Sequence, residues 1–282
     1  MGFFRSIGHT FELMKVSWRV FMKDRELILF PIMAALSILV TLAVFGAIAG
    51  STGTLDRVSP PEGVETTYTA GDIGLGVGVF FLTTFLGIFF NSALVAAALE
   101  RLRGGDPNVG SGLRHAMRHI HAIIGWAIIA ATVGLALQLL RNVARRQFGF
   151  LGEIAVSVVG GVWAYLTFFV VPVLVAEGLG PIAAFQRSKS MFTRTWGNQF
   201  AASFGFGLMY ILAGIGALIP TAVLFFVHPI LGVAGGVIFF ALALGTVAAM
   251  EGIFKAALYQ FANGETPTEF DRGTLAGAYR AL

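Results

Sequence analysis

The chain has 282 residues, 56% of them hydrophobic and only 12% charged, with a mean hydropathy of +0.81, a balance that excludes an ordinary water-soluble domain. It contains no cysteine, which excludes disulfides, zinc–thiolate sites and thiol nucleophiles. At this hydropathy a net charge of +4 reads as loop charge that sets membrane orientation, and nucleic acid is not expected as a partner.

In chain order, residues 1–25 form the first element. Phe4, Ile7, Phe11, Met14, Trp18 and Phe21 recur at spacings of three and four, with Arg5, His9, Glu12, Lys15, Arg19 and Lys23 between them. The pattern predicts an amphipathic helix, lying in the headgroup region or packed on a protein partner, with Phe11 and Trp18 as anchors. The apolar run that follows is too long for the core of a signal peptide, so Ala47-Ile48-Ala49 is read as uncleaved.

Six membrane spans are expected, over residues 27–50, 73–99, 120–140, 154–176, 200–227 and 230–250. A polar loop with Pro60-Pro61 joins the first two, and residues 101–121 form a basic connector broken at Gly104-Gly105-Asp106-Pro107. Arg141, Arg145 and Arg146 mark a basic loop after the third span, and Pro172 predicts a kink in the fourth. The central connector carries Arg187, Lys189, Arg194 and Trp196, the last as an interfacial anchor. The tail, 263–282, is polar and expected to be loosely ordered. All but four of the 19 Lys and Arg residues fall on one side of this layout, the exceptions being Arg57, Arg141, Arg145 and Arg146. That bias predicts both termini in the cytoplasm.

The even-numbered spans end alike, at Ala98-Leu99-Glu100, Val175-Ala176-Glu177 and Ala249-Met250-Glu251. A basic lead-in precedes each hairpin, and the separation from Arg114 to Glu177 nearly matches that from Arg187 to Glu251. The fold class expected is therefore all-α: six membrane helices as three pseudo-repeated hairpins, with in-plane amphipathic helices on the cytoplasmic side.

Glu100, Glu177 and Glu251 each sit where a helix C-terminus disfavours negative charge, so each needs compensation. One reading is a structural latch, Glu177 with Arg187 or Arg194 and Glu100 with Arg114 or Arg118. The other is an acidic ring at the mouth of an ion or proton pathway. His115 and His119, four apart with His121 nearby, have metal-ligand spacing, but no further ligand completes a site, so no metal is expected. Asn91, Gln138 and His228 read as interhelical hydrogen-bonding groups, and Gly46/Gly50, Gly74/Gly78 and Gly232/Gly236 as points of close helix approach. There is no phosphate-binding loop, nucleophile elbow or metalloprotease pair.

The stretch TFFVVPVLVAEGLGPIAAFQRSKSMFTRTWG, residues 167–197, resembles the signature region of the prokaryotic membrane family called domain-of-unknown-function 6159. More distantly it is similar to YciC-like and glycerophosphodiester-phosphodiesterase membrane-domain proteins. The resemblance implies a six-helix integral membrane protein and carries no activity, catalytic residue or cofactor; the phosphodiesterase name belongs to a separate catalytic domain. The function expected is a non-catalytic envelope scaffold or partner-binding subunit in the cell membrane, with lipids and a membrane protein or a second copy as partners. The alternatives are a small channel or transporter working between the hairpins and, third, a lipid-active enzyme.

Overall fold

The structure, a computed structural model, describes residues 15–59, 66–196, 202–265 and 267. These form an all-helical bundle: α1 (residues 15–23), a 3-10 turn (Arg25–Ile28), α2 (Leu29–Ser51), α3 (Thr54–Val58), α4 (Ala70–Leu102), α5 (Val109–Arg118), α6 (Ile120–Leu166), α7 (Val170–Glu177), α8 (Pro181–Trp196), α9 (Ala202–Val227) and α10 (Pro229–Ala262). Among the described residues, five helical stretches are long and apolar enough to cross a membrane: 25–51, 70–102, 120–177, 207–227 and 229–262.

The third of these doubles back. Trp126 and Trp163 lie on the same continuous run, yet their rings stack at 5.8 Å. A straight helix would hold them about 55 Å apart. The reversal is at Gly149, whose φ of 56° and ψ of −135° suit only a residue without Cβ. Gly152 packs on the Ala144 carbonyl so closely that a Cβ would lie 2.3 Å from its oxygen. The segment Arg141–Arg146, expected as a loop, is helical up to Phe148, because nothing breaks the helix before Gly149. Arg145 instead pairs with Glu153 across the turn at 3.1 Å.

Pro172 does not make the expected kink. It stands in the first turn of α7, where the amide it lacks has no intrahelical acceptor. The break lies upstream, between α6 and α7, and Ser188 of α8 holds it. The fully buried Ser188 hydroxyl donates to the Leu166 carbonyl at 2.7 Å and accepts from the Phe169 amide at 3.0 Å. The hydroxyl thus bridges a donor and an acceptor freed by the break. Ser188→Ala should therefore cost about 1–3 kcal/mol, read as a lower thermal midpoint in mild detergent. A midpoint unchanged from wild type would mean that other groups satisfy the break.

The tightly buried core lies at one end of the bundle. It joins Val20 and Phe21 of α1, Phe30 of α2, residues 93–102 of α4, Ile123 and Trp126 of α6, α7, Ala184 and Met191 of α8, and residues 247–259 of α10. Toward the other end the helices present apolar residues outward, such as Val40, Phe148, Leu151, Phe226 and Ile230. Such a surface is a liability in water and ordinary in lipid. At that end Asp72 organises the α3–α4 connection. It closes a capping box with Thr69 and takes a two-pronged ion pair from Arg57, at 2.6 and 3.0 Å. The Asp72 hydrogen bonds raise the pKa of Arg57 further above its usual value.

Of the glycine pairs read from the sequence, Gly232/Gly236 does mark a close approach. A Cβ at either position would lie within 3 Å of Phe225 or Thr221 of α9. Gly46 and Gly74 have no such neighbour. The closest approach at the buried end uses two other glycines, Gly112 against Phe30 and the Ala93 carbonyl, and Gly252 against Leu94.

α1 docks on the protein through Ser17, Val20 and Phe21, while Trp18 stays 46% exposed with its ring 5.6 Å from Phe21. Trp18 and Phe21 therefore do not share one buried face. Phe11 and the rest of the first 14 residues lie outside the described residues, as do the side chain of Trp196 and nearly all of the tail beyond Glu265.

Candidate functional site

At the buried end, polar side chains gather around each of the three glutamates. Glu100, two residues before the end of α4, accepts from the Ser111 hydroxyl at 3.0 Å. Ser111 is held there by its capping box with Asn108, which starts α5. The expected partners Arg114 and Arg118 are exposed and form no ion pair among the described residues. Their positions on α5 turn them outward, because Gly112 and Ala116 take the face against α4. The guanidinium near this end of α4 is Arg101, which forms a two-pronged pair with the nearly buried Asp24 and a further bond to Asp106 at 2.7 Å.

Glu177 closes α7, where Gly178 takes a left-handed conformation (φ 64°) and Pro181 opens α8. That tight turn brings Arg187 back to Glu177, with Nε 3.1 Å from Oε1. The pair is shared, since Tyr259 donates to the same carboxylate oxygen at 2.9 Å and Arg187 also donates to Asn263 at 2.9 Å. Arg194, the other candidate, is exposed and forms no ion pair among the described residues. With side chains 39% and 25% exposed, the Arg187–Glu177 pair contributes about 1 kcal/mol or less.

The histidines sit beside this turn. His115 donates from Nε2 to the Val175 carbonyl at 2.7 Å, which fixes its tautomer because a carbonyl only accepts. The His119 ring lies 5.2 Å from it, tilted by 44°, and sits against Gly178. Burial lowers the pKa of His119, helped by the neighbouring His115 and Arg118. A neutral His119 contributes its full stability above about pH 6.5 and loses it as pH falls through the lowered value.

Glu251 differs from the other two. α10 runs on past it to Ala262, so Glu251 and Lys255 form an (i, i+4) pair inside a helix, at 2.7 Å. Tyr210 of α9 donates to the other carboxylate oxygen at 2.8 Å, and Lys255 lies over the Phe168 ring, 5.6 Å from its centroid. Two cavities flank the pair. One, about 510 Å³, lies among α2, α4, α9 and α10; the other, about 370 Å³, among α4, α6, α7 and α10. Asn91, Glu251 and Lys255 line both. Asn91, read from the sequence as an interhelical hydrogen-bonding group, has no hydrogen-bond partner among the described residues. A charged pair beside open cavities within an apolar helix is the strongest sign of function in the chain.

Sequence reasoning missed Lys255, Tyr210, Tyr259, Asp24, Arg101 and Ser188. The spacing of Glu251 and Lys255 within one apolar helix was a readable signal for the first of these. The others meet across long separations, with no local pattern to betray them.

Among curated proteins none matches the chain. The model of a family of unknown function, DUF6159, matches residues 73–268, well over half of the chain, from the first turn of α4 through α10 with the Glu251–Lys255 pair. The chain belongs to that family.

Proposed function

We propose that the chain is a non-catalytic multi-pass membrane protein that acts as a scaffold or partner-binding subunit in the cell membrane. It crosses six times as three related hairpins, α2 with α4, the two limbs of α6 with α7, and α9 with α10, and keeps both termini on the cytoplasmic side. The reversal at Gly149 supports counting the α6 limbs as two crossings. The Lys and Arg bias supports the orientation, since Arg57, Arg141, Arg145 and Arg146 fall at the end away from the buried core. The more distant likeness to YciC-like and phosphodiesterase membrane-domain proteins rests on residues 167–197 alone.

One observation carries the reading over a conducting pathway: among the described residues, the cavities beside Glu251 are not lined by Glu100 or Glu177. Glu100 lines a separate cavity of about 360 Å³ with Arg103 and His115, Glu177 is tied to Arg187 and Tyr259, and only Glu251 lines the central pair of cavities. An acidic ring needs its carboxylates around one wet lumen. Crosslinking in native membranes followed by purification in mild detergent should retain a membrane-protein partner or a second copy in fixed ratio. A proton or cation flux into liposomes that is lost in Glu251→Gln would contradict this reading in favour of transport.

A further inference from the structure

The first cavity beside Glu251 and Lys255 is polar at one end and apolar along its length. α2 and α4 run antiparallel, since Phe45 lies against Gly78 while Phe30 and the Ala93 carbonyl meet at Gly112, and Ile38 lies about 10 Å deeper in the bundle than Pro31, seven residues further along α2. Asn91, Tyr210, Glu251 and Lys255 form the polar end, and Ala34, Ala35, Ile38, Gly87 and Ile88 form the apolar wall. The depth is also specific. Glu251 stands about 33 Å along α10 from Pro229, and a hydrocarbon core is about 30 Å thick. With α10 crossing the bilayer, the charged pair reaches the headgroup boundary while the apolar wall stays beside the acyl chains.

The pair leaves hydrogen-bonding capacity of both signs. Glu251 accepts from Tyr210 through one oxygen and from Lys255 through the other, and a carboxylate has about four acceptor sites. Lys255 uses one of its three donors on Glu251. Asn91 contributes a whole amide with no partner among the described residues. The site is neutral overall yet contains a cation and an anion side by side.

We propose that this cavity binds the headgroup of a membrane phospholipid that carries both a phosphate and a primary amine. The phosphate oxygens take the remaining Lys255 N–H groups and the Asn91 amide, the ammonium group takes the remaining acceptor sites of Glu251, and the acyl chains follow the Ile38, Gly87 and Ile88 wall. A net-anionic headgroup would set uncompensated charge against a neutral pair, and a lipid without phosphate would leave the remaining Lys255 N–H groups and the Asn91 amide without acceptors. The inference rests on α10 crossing the membrane and is independent of whether the protein is a scaffold or a transporter.

The test is native mass spectrometry of the full chain in mild detergent, with equal amounts of dioleoyl phosphatidylethanolamine, dioleoyl phosphatidylglycerol and dioleoylglycerol. Phosphatidylethanolamine should be retained about tenfold more than dioleoylglycerol and several-fold more than phosphatidylglycerol. Lys255→Met and Asn91→Leu should each reduce that retention about tenfold, and Arg118→Gln should not change it. If Lys255→Met fails to fold, Asn91→Leu, which removes no partner from any described residue, decides alone. Free O-phosphoethanolamine at the same concentration should not displace the lipid; displacement would assign the site to a soluble phosphate ester and overturn the proposal. Equal retention of the three lipids, or full retention by Asn91→Leu, would overturn it as well.

Discussion

Arg101→Met is expected to cost about 3–5 kcal/mol, as is usual when one member of a sheltered ion pair is removed. Asp24 is 8% exposed and takes both prongs of the Arg101 guanidinium, so the substitution strands a carboxylate between α1 and the end of α4. The third partner, Asp106, is almost fully exposed and adds little. A thermal midpoint in detergent lowered by roughly 10 °C is the expected reading. The cause is separable from lost packing, because Asp24→Asn with Arg101→Met should lose clearly less than the sum of the two single changes. Additive losses would show that the charges act independently.

Trp126→Ala should be as damaging, again about 3–5 kcal/mol, because it removes the side chain that joins the two limbs of α6. Trp126 is 4% exposed and stacks on Trp163 at 5.8 Å and on Phe185 of α8 at 6.4 Å, with Trp163 and Phe185 themselves 5.6 Å apart. Its loss opens a cavity where the outgoing limb, the returning limb and α8 meet. Trp18→Ala, at a ring 46% exposed, should cost about 1 kcal/mol or less and serves as the matched control. Equal midpoints for the two variants would mean that the aromatic stack does not hold the hairpin.

What was readable in the chain, and what was not, follows from the range of the forces involved. Long apolar runs such as Leu29–Ser51 and Pro229–Ala262 declare themselves, because hydropathy and backbone satisfaction in lipid act locally. The α7–α8 corner was readable for the same reason, since Gly178, Gly180 and Pro181 are local punctuation that returns Arg187 to Glu177. The reversal in α6 falls at Gly149, within the interval between the third and fourth expected spans, but the arginines read there as a loop are helical, because the helix runs on until that glycine turns it. Local patterns placed Arg114, Arg118 and Arg194 beside the glutamates. Tertiary packing turns all three outward and supplies Ser111, Lys255, Tyr210 and Tyr259 instead. Glu251 was grouped with Glu100 and Glu177 by the residues before it, but the helix that continues to Ala262 gives it a different environment and a cation one turn away. A carboxylate takes its role from its neighbours in space rather than from the sequence that leads to it.

The claim on which the rest depends is that the chain crosses the membrane six times, with the Gly149 turn outside and the tightly packed polar end inside. The lack of native cysteine makes single introduced cysteines free of background. Asp56→Cys, Arg118→Cys, Arg146→Cys and Glu265→Cys place one exposed thiol each in the α3 segment, the α5 connector, the α6 turn and the end of α10. In sealed cells a membrane-impermeant maleimide should label positions 56 and 146, and should reach 118 and 265 only after the membrane is opened. Labelling of 118 together with 146, or protection of 146 together with 265, would contradict the six-crossing arrangement and the placement of the Glu251–Lys255 site at the inner face.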